Sequence, residues 1–222
     1  MTIVKSPSLT SALEDIAMPG VLIDHRTITE GDEFGLLPKE RSSFATSVVK
    51  VQRASGAARI VARGLMQRFG ISPQPVLKAT AGMPRWPDGI VGSLAHNSTV
   101  AVAALARRAD FLSIGVDIEP AEALDPDLLT LVATESERAE IENSPLQGRL
   151  LFAVKEAIYK AVYPLDGTFL DHHDVEVNFA TRTAAVREGR TVPFRFSLSS
   201  HIAVLAYVAA TAQGSSQPEA IS

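Results

Sequence analysis

The chain has 222 residues, 46% hydrophobic and 21% charged, with a formal net charge of −4. That balance is too apolar for global disorder, leaves room for a sizeable core and gives no general attraction for nucleic acid. With no cysteine, disulfides, thiolate metal sites and cysteine nucleophiles are excluded. The opening residues, MTIVKSPSLTSALEDIAMPG, carry Glu14 and Asp15 where an apolar signal core would lie. The longest apolar runs, near Val100–Ala106 and Ile202–Ala210, are too short to span a bilayer. A soluble cytoplasmic protein with no membrane or nucleic-acid partner is the expectation.

Taken in chain order, residues 1–36 mix short apolar pieces with Pro and Gly and read as a strand-containing opening segment. From Pro38 the pattern is helical as far as Gly70, with a kink or break at Ser55-Gly56. Lys50, Arg53, Arg59, Arg63 and Arg68 follow one another there with no intervening acid, which leaves room for a local anion site. Residues 71–92 are rich in Pro and Gly and read as loop with at most brief strand. Ser98–Arg107 reads as a buried strand, and Ser113–Glu119 as another, ended by Pro120. Pro126–Asn143 looks helical, with a second start signal at Thr134, and Gln147–Val162 is the next helix, stopped by Pro164. Short β-like runs follow at Val175–Phe179, Thr183–Arg187, Val192–Leu198 and His201–Val208, before a Gly/Ser/Gln/Pro-rich tail. This order favours an α+β fold with antiparallel sheets, and a break near residues 108–112 divides it into halves of similar size.

Two segments carry candidate chemistry. In SIGVDIEP (113–120) strand alternation sends Ile114, Val116 and Ile118 one way and Gly115, Asp117 and Glu119 the other. Two carboxylates on one face suit a hard divalent cation carrying phosphate, although on spacing alone a solvated acidic strand face is the commoner reading. In LFAVKEAIYKA (151–161), Leu151, Val154, Ile158 and Ala161 form an apolar stripe and leave Lys155, Glu156 and Lys160 to other sides. Glu156 and Lys160 are also spaced as an ordinary surface ion pair. His96, in GSLAHNS, could donate to a phosphate oxygen or serve structurally. Arg59 and Arg63, one turn apart, could clamp a phosphate or lie solvated, and Lys78 and Arg85 carry less weight. Asp171, His172, His173 and Asp174 read as a loop cluster, since consecutive residues face apart. No Walker loop, Gly-x-Gly-x-x-Gly turn, His-Glu-x-x-His helix or Gly-x-Ser-x-Gly elbow is present.

The succession Gly-Val-Asp-Ile-Glu followed by Phe-x-x-Lys-Glu-x-x-x-Lys resembles the signature of the 4′-phosphopantetheinyl transferases, in particular the enterobactin synthetase component D type and related actinobacterial enzymes. PRWPDGIVGSLAH (84–96), KEAIYKAVYPLDGTFLDHHDVEV (155–177) and ARIVARGL (58–65) resemble further stretches of that group, so the likeness runs from about Leu36 to Val208. It implies Mg²⁺-dependent transfer of the phosphopantetheine arm of coenzyme A to a serine of an apo acyl or peptidyl carrier protein. Adenosine 3′,5′-bisphosphate is the implied leaving group, and Mn²⁺ is the alternative metal.

By the same resemblance Asp117, Glu119 and Glu156 would hold the metal, with Glu156 also the base for the carrier serine. Lys160 would neutralise or protonate the departing phosphate, completing a catalytic set of Asp117, Glu156 and Lys160. Lys155 and His96 would contact coenzyme A phosphates, and Arg53, Arg59 and Lys78 its 3′-phosphate and adenine end. The implied fold has two similar pseudo-twofold-related halves, each a small antiparallel sheet with packed helices, and the active site lies at their interface. Residues 1–112 would carry the coenzyme A-binding helix and loop, 113–212 the metal-binding strand and catalytic helix, and 213–222 a flexible tail, in a monomer. Ala95 and Ala153 depart from the family pattern, each removing a hydroxyl. They motivate the alternative of an impaired paralogue that binds coenzyme A or carrier without transfer; a metal-dependent phosphohydrolase is a third reading.

Overall fold

The structure is a computed structural model, and its described residues are 5–79, 82–141, 144–187 and 189–210. The expected flexible tail, 213–222, lies outside them. The architecture is α+β with antiparallel sheets. One sheet has the order β1 (Val21–Thr27), β5 (Val100–Arg107), β4 (Ile90–His96). The other runs β6 (Phe111–Pro120), β10 (His201–Ala209), β9 (Arg190–Leu198), β8 (Thr183–Val186), β7 (Val175–Asn178). A small ribbon pairs β2 (Leu77–Lys78) with β3 (Pro84–Arg85).

The two main sheets meet along β4 and β6, where the Val116 N–H donates to Ser93 Oγ at 3.0 Å. β5 is buried along nearly its whole length, as its unbroken apolar run requires. Val102, Ala104 and Ala106 face a core shared with Ile114, Val116 and Ile118 of β6, whereas Ala103 and Leu105 pack with Val61, Leu65 and Met66. Those three lie on α3 (Val49–Arg68), which covers the outer face of the first sheet. The second sheet is covered by α6 (Pro145–Asp166) through Val154, Ile158 and Ala161.

Several elements differ from the sequence expectation. Residues 7–16 form α1 (Pro7–Ile16), whose Leu9, Ala12, Leu13 and Ile16 fill the core between the sheets. The helix expected from Pro38 is divided into α2 (Pro38–Arg41), a 3₁₀ turn at Ser42–Phe44 and α3. Its break falls before Val49 and not at Ser55-Gly56. Gly56 instead admits the 3₁₀ turn Asp32–Gly35, because a Cβ there would collide with the Asp32 carbonyl oxygen. That turn is fixed in turn by a buried ion pair, Arg26 Nη2 to Asp32 Oδ1 at 2.7 Å. β4 occupies part of what was expected as loop, its Gly92 carbonyl accepting from Trp86 Nε1 at 2.8 Å. The segment from Pro126 divides into α4 (Pro126–Val132) and α5 (Glu135–Ile141) at Thr134, where the second start signal lay. α6 runs through Pro164 to Asp166, and Gly167, at φ 75°, donates its N–H to Tyr163 O at 2.9 Å.

The crossing of α6 over β6 depends on small residues. Gly115 lies directly beneath the helix, and a Cβ built on it would run into the Ala157 carbonyl oxygen. Ala153, Ala157 and Ala161, all fully buried, line the helix face on that side. Gly115→Ala is therefore expected to destabilise the fold by about 1–3 kcal/mol through overpacking, read as a lower urea midpoint; an unchanged midpoint would contradict this contact.

His25 anchors the start of α1. Its ring is 1% exposed and Nε2 accepts the Ser6 N–H at 3.0 Å, which requires a neutral imidazole. Burial pushes its pKa down, against the opposing pull of Asp24. Because the folded value lies below the unfolded value of about 6.5, the unfolded chain takes up the extra proton first, so stability is full above that pH and falls below it. His25→Gln should flatten the decline in melting temperature between about pH 7.5 and 5.5. An equally steep decline would assign the effect to other groups.

Candidate active site

Strand alternation does what the sequence implied. The apolar residues of β6 enter the shared core, while Gly115, Asp117 and Glu119 face α6. On that helix Glu156 and Lys160 stand one turn apart, both half-buried. Lys160 Nζ donates to Asp117 Oδ1 at 2.6 Å and reaches Val116 O at 3.3 Å. Asp117 is 6% exposed, and its Oδ2 is buried without a hydrogen-bond partner. Farther along the strand Glu119 Oε2 accepts from Arg149 Nη1 at 3.0 Å.

Glu119 and Glu156 both have raised pKa values, chiefly through burial. Burial pushes Glu119 up, Asp117 adds to it, and Arg149 opposes. Burial likewise pushes Glu156 up, with Lys160 opposing and Asp117 adding. Among the described residues no group of three or more His, Asp or Glu side chains is gathered tightly enough to hold a metal as it stands. The donor set still fits one chemically. Asp117 Oδ2 lacks a partner, two neighbouring acids are pushed toward protonation, and a divalent cation with carboxylate ligands would relieve both.

Lys155 requires a correction. It was expected at a coenzyme A phosphate, but its side chain is 1% exposed and points into the protein. Nζ donates to Glu137 Oε2 at 2.7 Å, to Val132 O at 2.9 Å and to His172 O at 2.9 Å, which uses all three of its protons. Burial pulls its pKa down, against the Glu137 carboxylate that favours the charged form. Glu137 also accepts the Val177 and Thr134 N–H groups at 3.0 and 2.9 Å. In the sequence Glu137 is visible only as the end of the Thr134-x-x-Glu137 start signal, and nothing there points to its pairing with Lys155. Arg149 was missed too; its one signal is that it shares a helical face with Ala153, Glu156 and Lys160.

The cations of the first half are distributed unevenly. Arg59, expected at the 3′-phosphate end, is instead buried, donating Nε to Val76 O at 2.8 Å and Nη1 to Ser55 O at 3.1 Å. Burial pushes its pKa down, with Glu40 opposing. Its guanidinium lies over the Phe44 ring at 4.7 Å, and Lys78 Nζ approaches the same ring to 4.1 Å. Arg63 is held by Glu40 at 3.1 Å. Arg53 is paired with Glu33 at 2.9 Å and Glu30 at 3.4 Å. Together with Lys50, His96 and Ser98 it lines a cavity of about 540 Å³. His96 ends β4, reachable by solvent yet crowded by protein, and that desolvation followed by the Lys160 charge pushes its pKa down.

A second cavity, of about 250 Å³, opens where the sheets meet and is walled by Trp86, Val91, Leu112, Tyr159, Tyr163 and Lys160. Tyr159 also borders a third, of about 260 Å³, with Glu156, Phe169 and His172. Glu156 and Lys160 thus stand between an apolar cleft and a surface where Phe169 is 77% exposed. The His172-His173 segment is a 3₁₀ turn closed by Asp171 and Asp174.

Residues 39–106 match the 4′-phosphopantetheinyl transferase N-terminal domain, and residues 113–212 match the 4′-phosphopantetheinyl transferase superfamily. The chain is similar to 4′-phosphopantetheinyl transferase Svp of Streptomyces mobaraensis, with 38% identity over 148 residues, 64% of this chain and 60% of that protein. It is 34% identical to 4′-phosphopantetheinyl transferase PptT of Mycobacterium tuberculosis over 184 residues, 81% of this chain and 78% of the relative. Enterobactin synthase component D of Salmonella typhimurium is 32% identical over 144 residues, 62% of this chain and 58% of the relative. The match therefore spans less than two thirds of the first and third of these and more than three quarters of the second.

The two lysines of α6 differ in burial, and the difference can be measured. Lys155→Met strands Glu137 and two carbonyls in the interior and should cost about 3–5 kcal/mol of stability. Lys160→Met removes a more exposed cation with one carboxylate partner, the buried Asp117, and should cost less, about 1–3 kcal/mol. Equal losses in denaturant unfolding would overturn this division.

Proposed function

The chain belongs to the 4′-phosphopantetheinyl transferase superfamily, and on that premise we propose that it moves the 4′-phosphopantetheine arm of coenzyme A onto a serine hydroxyl of an apo acyl or peptidyl carrier protein, with Mg²⁺ or Mn²⁺. The observation that carries this reading is the α6–β6 seam. It sets Asp117, with an unpartnered buried oxygen, against Lys160 and beside Glu119 and Glu156, at the mouth of an apolar cleft.

In this reading Asp117, Glu119 and Glu156 hold the metal. The bound cation supplies charge neutralisation to the pyrophosphate and makes the adenosine-side phosphate a better leaving group. Glu156, half-buried beside the metal and ionised there, accepts the proton of the carrier serine, directly or through water. The serine Oγ then forms a bond to the phosphorus bearing the pantetheine arm. The bond from that phosphorus to the bridging oxygen breaks, and the electron pair leaves with adenosine 3′,5′-bisphosphate. Lys160 offers a positive charge and a proton donor to the departing phosphate. The arm would lie in the cleft lined by Trp86, Tyr159 and Tyr163. His96, Arg53 and Lys78 serve the other end of coenzyme A, where Arg53 must exchange its carboxylate partners for phosphate. Residues 1–112 supply that end and 113–212 the acids and catalytic helix, in a cytoplasmic monomer. No helix among the described residues is long and apolar enough to cross a membrane. The enterobactin synthase relatives make a siderophore-peptide carrier one acceptor to test.

Incubation with coenzyme A, Mg²⁺ and a panel of apo carriers should add about 340 Da to at least one carrier. Chelation should abolish the reaction, and Glu156→Gln should slow it by about 10²-fold or more. Coenzyme A binding with no adduct on any carrier would favour the non-transferring paralogue; release of phosphopantetheine without an acceptor would favour a hydrolase.

A further inference from the structure

Arg149 is not accounted for by any role described above. It lies on α6, on the helical face that also carries Ala153, Glu156 and Lys160. Its side chain is 18% exposed, too buried for a casual surface pair. The two terminal nitrogens are divided between different partners. Nη1 donates to Glu119 Oε2 at 3.0 Å, and Nη2 donates to Ala123 O at 3.0 Å in the segment after β6. The guanidinium thus fastens the end of the strand to the turn that follows it. The remaining nitrogen, Nε, is buried without a partner, so the group is held where it stands for the sake of these two bonds.

The grip on Glu119 is one-sided. A guanidinium can take both oxygens of a carboxylate, as a fork, but Arg149 takes only Oε2. Among the described residues no hydrogen bond is made to Oε1. Lys160 does the same to Asp117, holding Oδ1 at 2.6 Å while Oδ2 is left without a partner. Two cations of one helix therefore each clamp one oxygen of a strand carboxylate and leave the other unengaged. A donor that holds one oxygen of a carboxylate fixes the direction of the second, which is the usual task of groups standing behind metal ligands.

We propose that Arg149 is a positioning residue of the acidic site, orienting Glu119 so that its second oxygen is presented to a divalent cation alongside Asp117 Oδ2. This rests on the metal reading above. The role is opposite in sign to simple repulsion. If Arg149 acted only as a nearby positive charge, its removal would strengthen cation binding; as an orienting group, its removal weakens it.

Electron paramagnetic resonance of Mn²⁺, in the presence of saturating coenzyme A and corrected for Mn²⁺ held by coenzyme A alone, separates the two. Arg149→Ala should raise the Mn²⁺ dissociation constant about tenfold or more. Arg149→Lys, which keeps the charge but cannot reach both Glu119 and Ala123, should raise it less, and it carries the comparison if the alanine variant does not fold. Binding as tight as, or tighter than, that of the unaltered chain in both variants overturns the proposal. If the unaltered chain binds no Mn²⁺, or if Asp117→Ala leaves its binding intact, the metal reading itself falls and Arg149 with it. Intact binding lost in Asp117→Ala but unchanged in the Arg149 variants removes the Arg149 role alone.

Discussion

α6 can lie on β6 only because position 115 has no side chain. The Ala157 carbonyl occupies the volume that a Cβ at 115 would need. Every charged contact of the candidate site is a consequence of that approach. With the backbones this close, Lys160 reaches Asp117 at 2.6 Å and Arg149 reaches Glu119 at 3.0 Å. A helix standing farther off would leave two strand acids facing water, worth little to one another or to a cation. The small residues of the helix face, Ala153, Ala157 and Ala161, are the other half of the same fit. Ala153 therefore has a packing role that its lack of a hydroxyl does not diminish.

The helix also separates two kinds of positive charge. Lys155 and Lys160 are five positions apart and point to different sides. One is sealed into a network with Glu137, Val132 O and His172 O that ties α4, α5 and the turn at 171–174 to α6. The other remains half-exposed between the apolar cleft and the acids. Breaking the first network removes the frame on which Glu156 is displayed. On the proposed function, the second would exchange its carboxylate for a phosphate. Buried charge on this helix ties neighbouring elements together, whereas the charge of Lys160 stays partly accessible.

What was legible in the sequence followed from local periodicity. SIGVDIEP alternates strictly, so the inward turn of Ile114, Val116 and Ile118 and the common face of Asp117 and Glu119 could be read directly. The stripe of Leu151, Val154, Ile158 and Ala161 likewise placed α6 on its sheet. α1 has the same kind of signal in Leu9, Ala12, Leu13 and Ile16, but residues 1–36 read only as a strand-containing segment, which holds for β1 and leaves out the helix. Gly56 misled for a different reason. Glycine marks a break and a close contact equally well in sequence, and only the turn at Asp32–Gly35 distinguishes them. The fates of Lys155, Arg59 and Arg149 could not be read at all. They depend on partners far along the chain: Glu137 and His172, the Val76 carbonyl, and Glu119 with Ala123.

On the proposed function, the α6–β6 seam is a divalent-cation site built from the three carboxylates. A crystal structure grown with Mn²⁺ and coenzyme A, with data collected at a wavelength where manganese scatters anomalously, tests it most directly. An anomalous peak within coordination distance of Asp117, Glu119 and Glu156 and of a pyrophosphate oxygen is the expected result. A peak elsewhere, or Asp117 and Glu119 still bound only to Lys160 and Arg149 with coenzyme A in place, would contradict it.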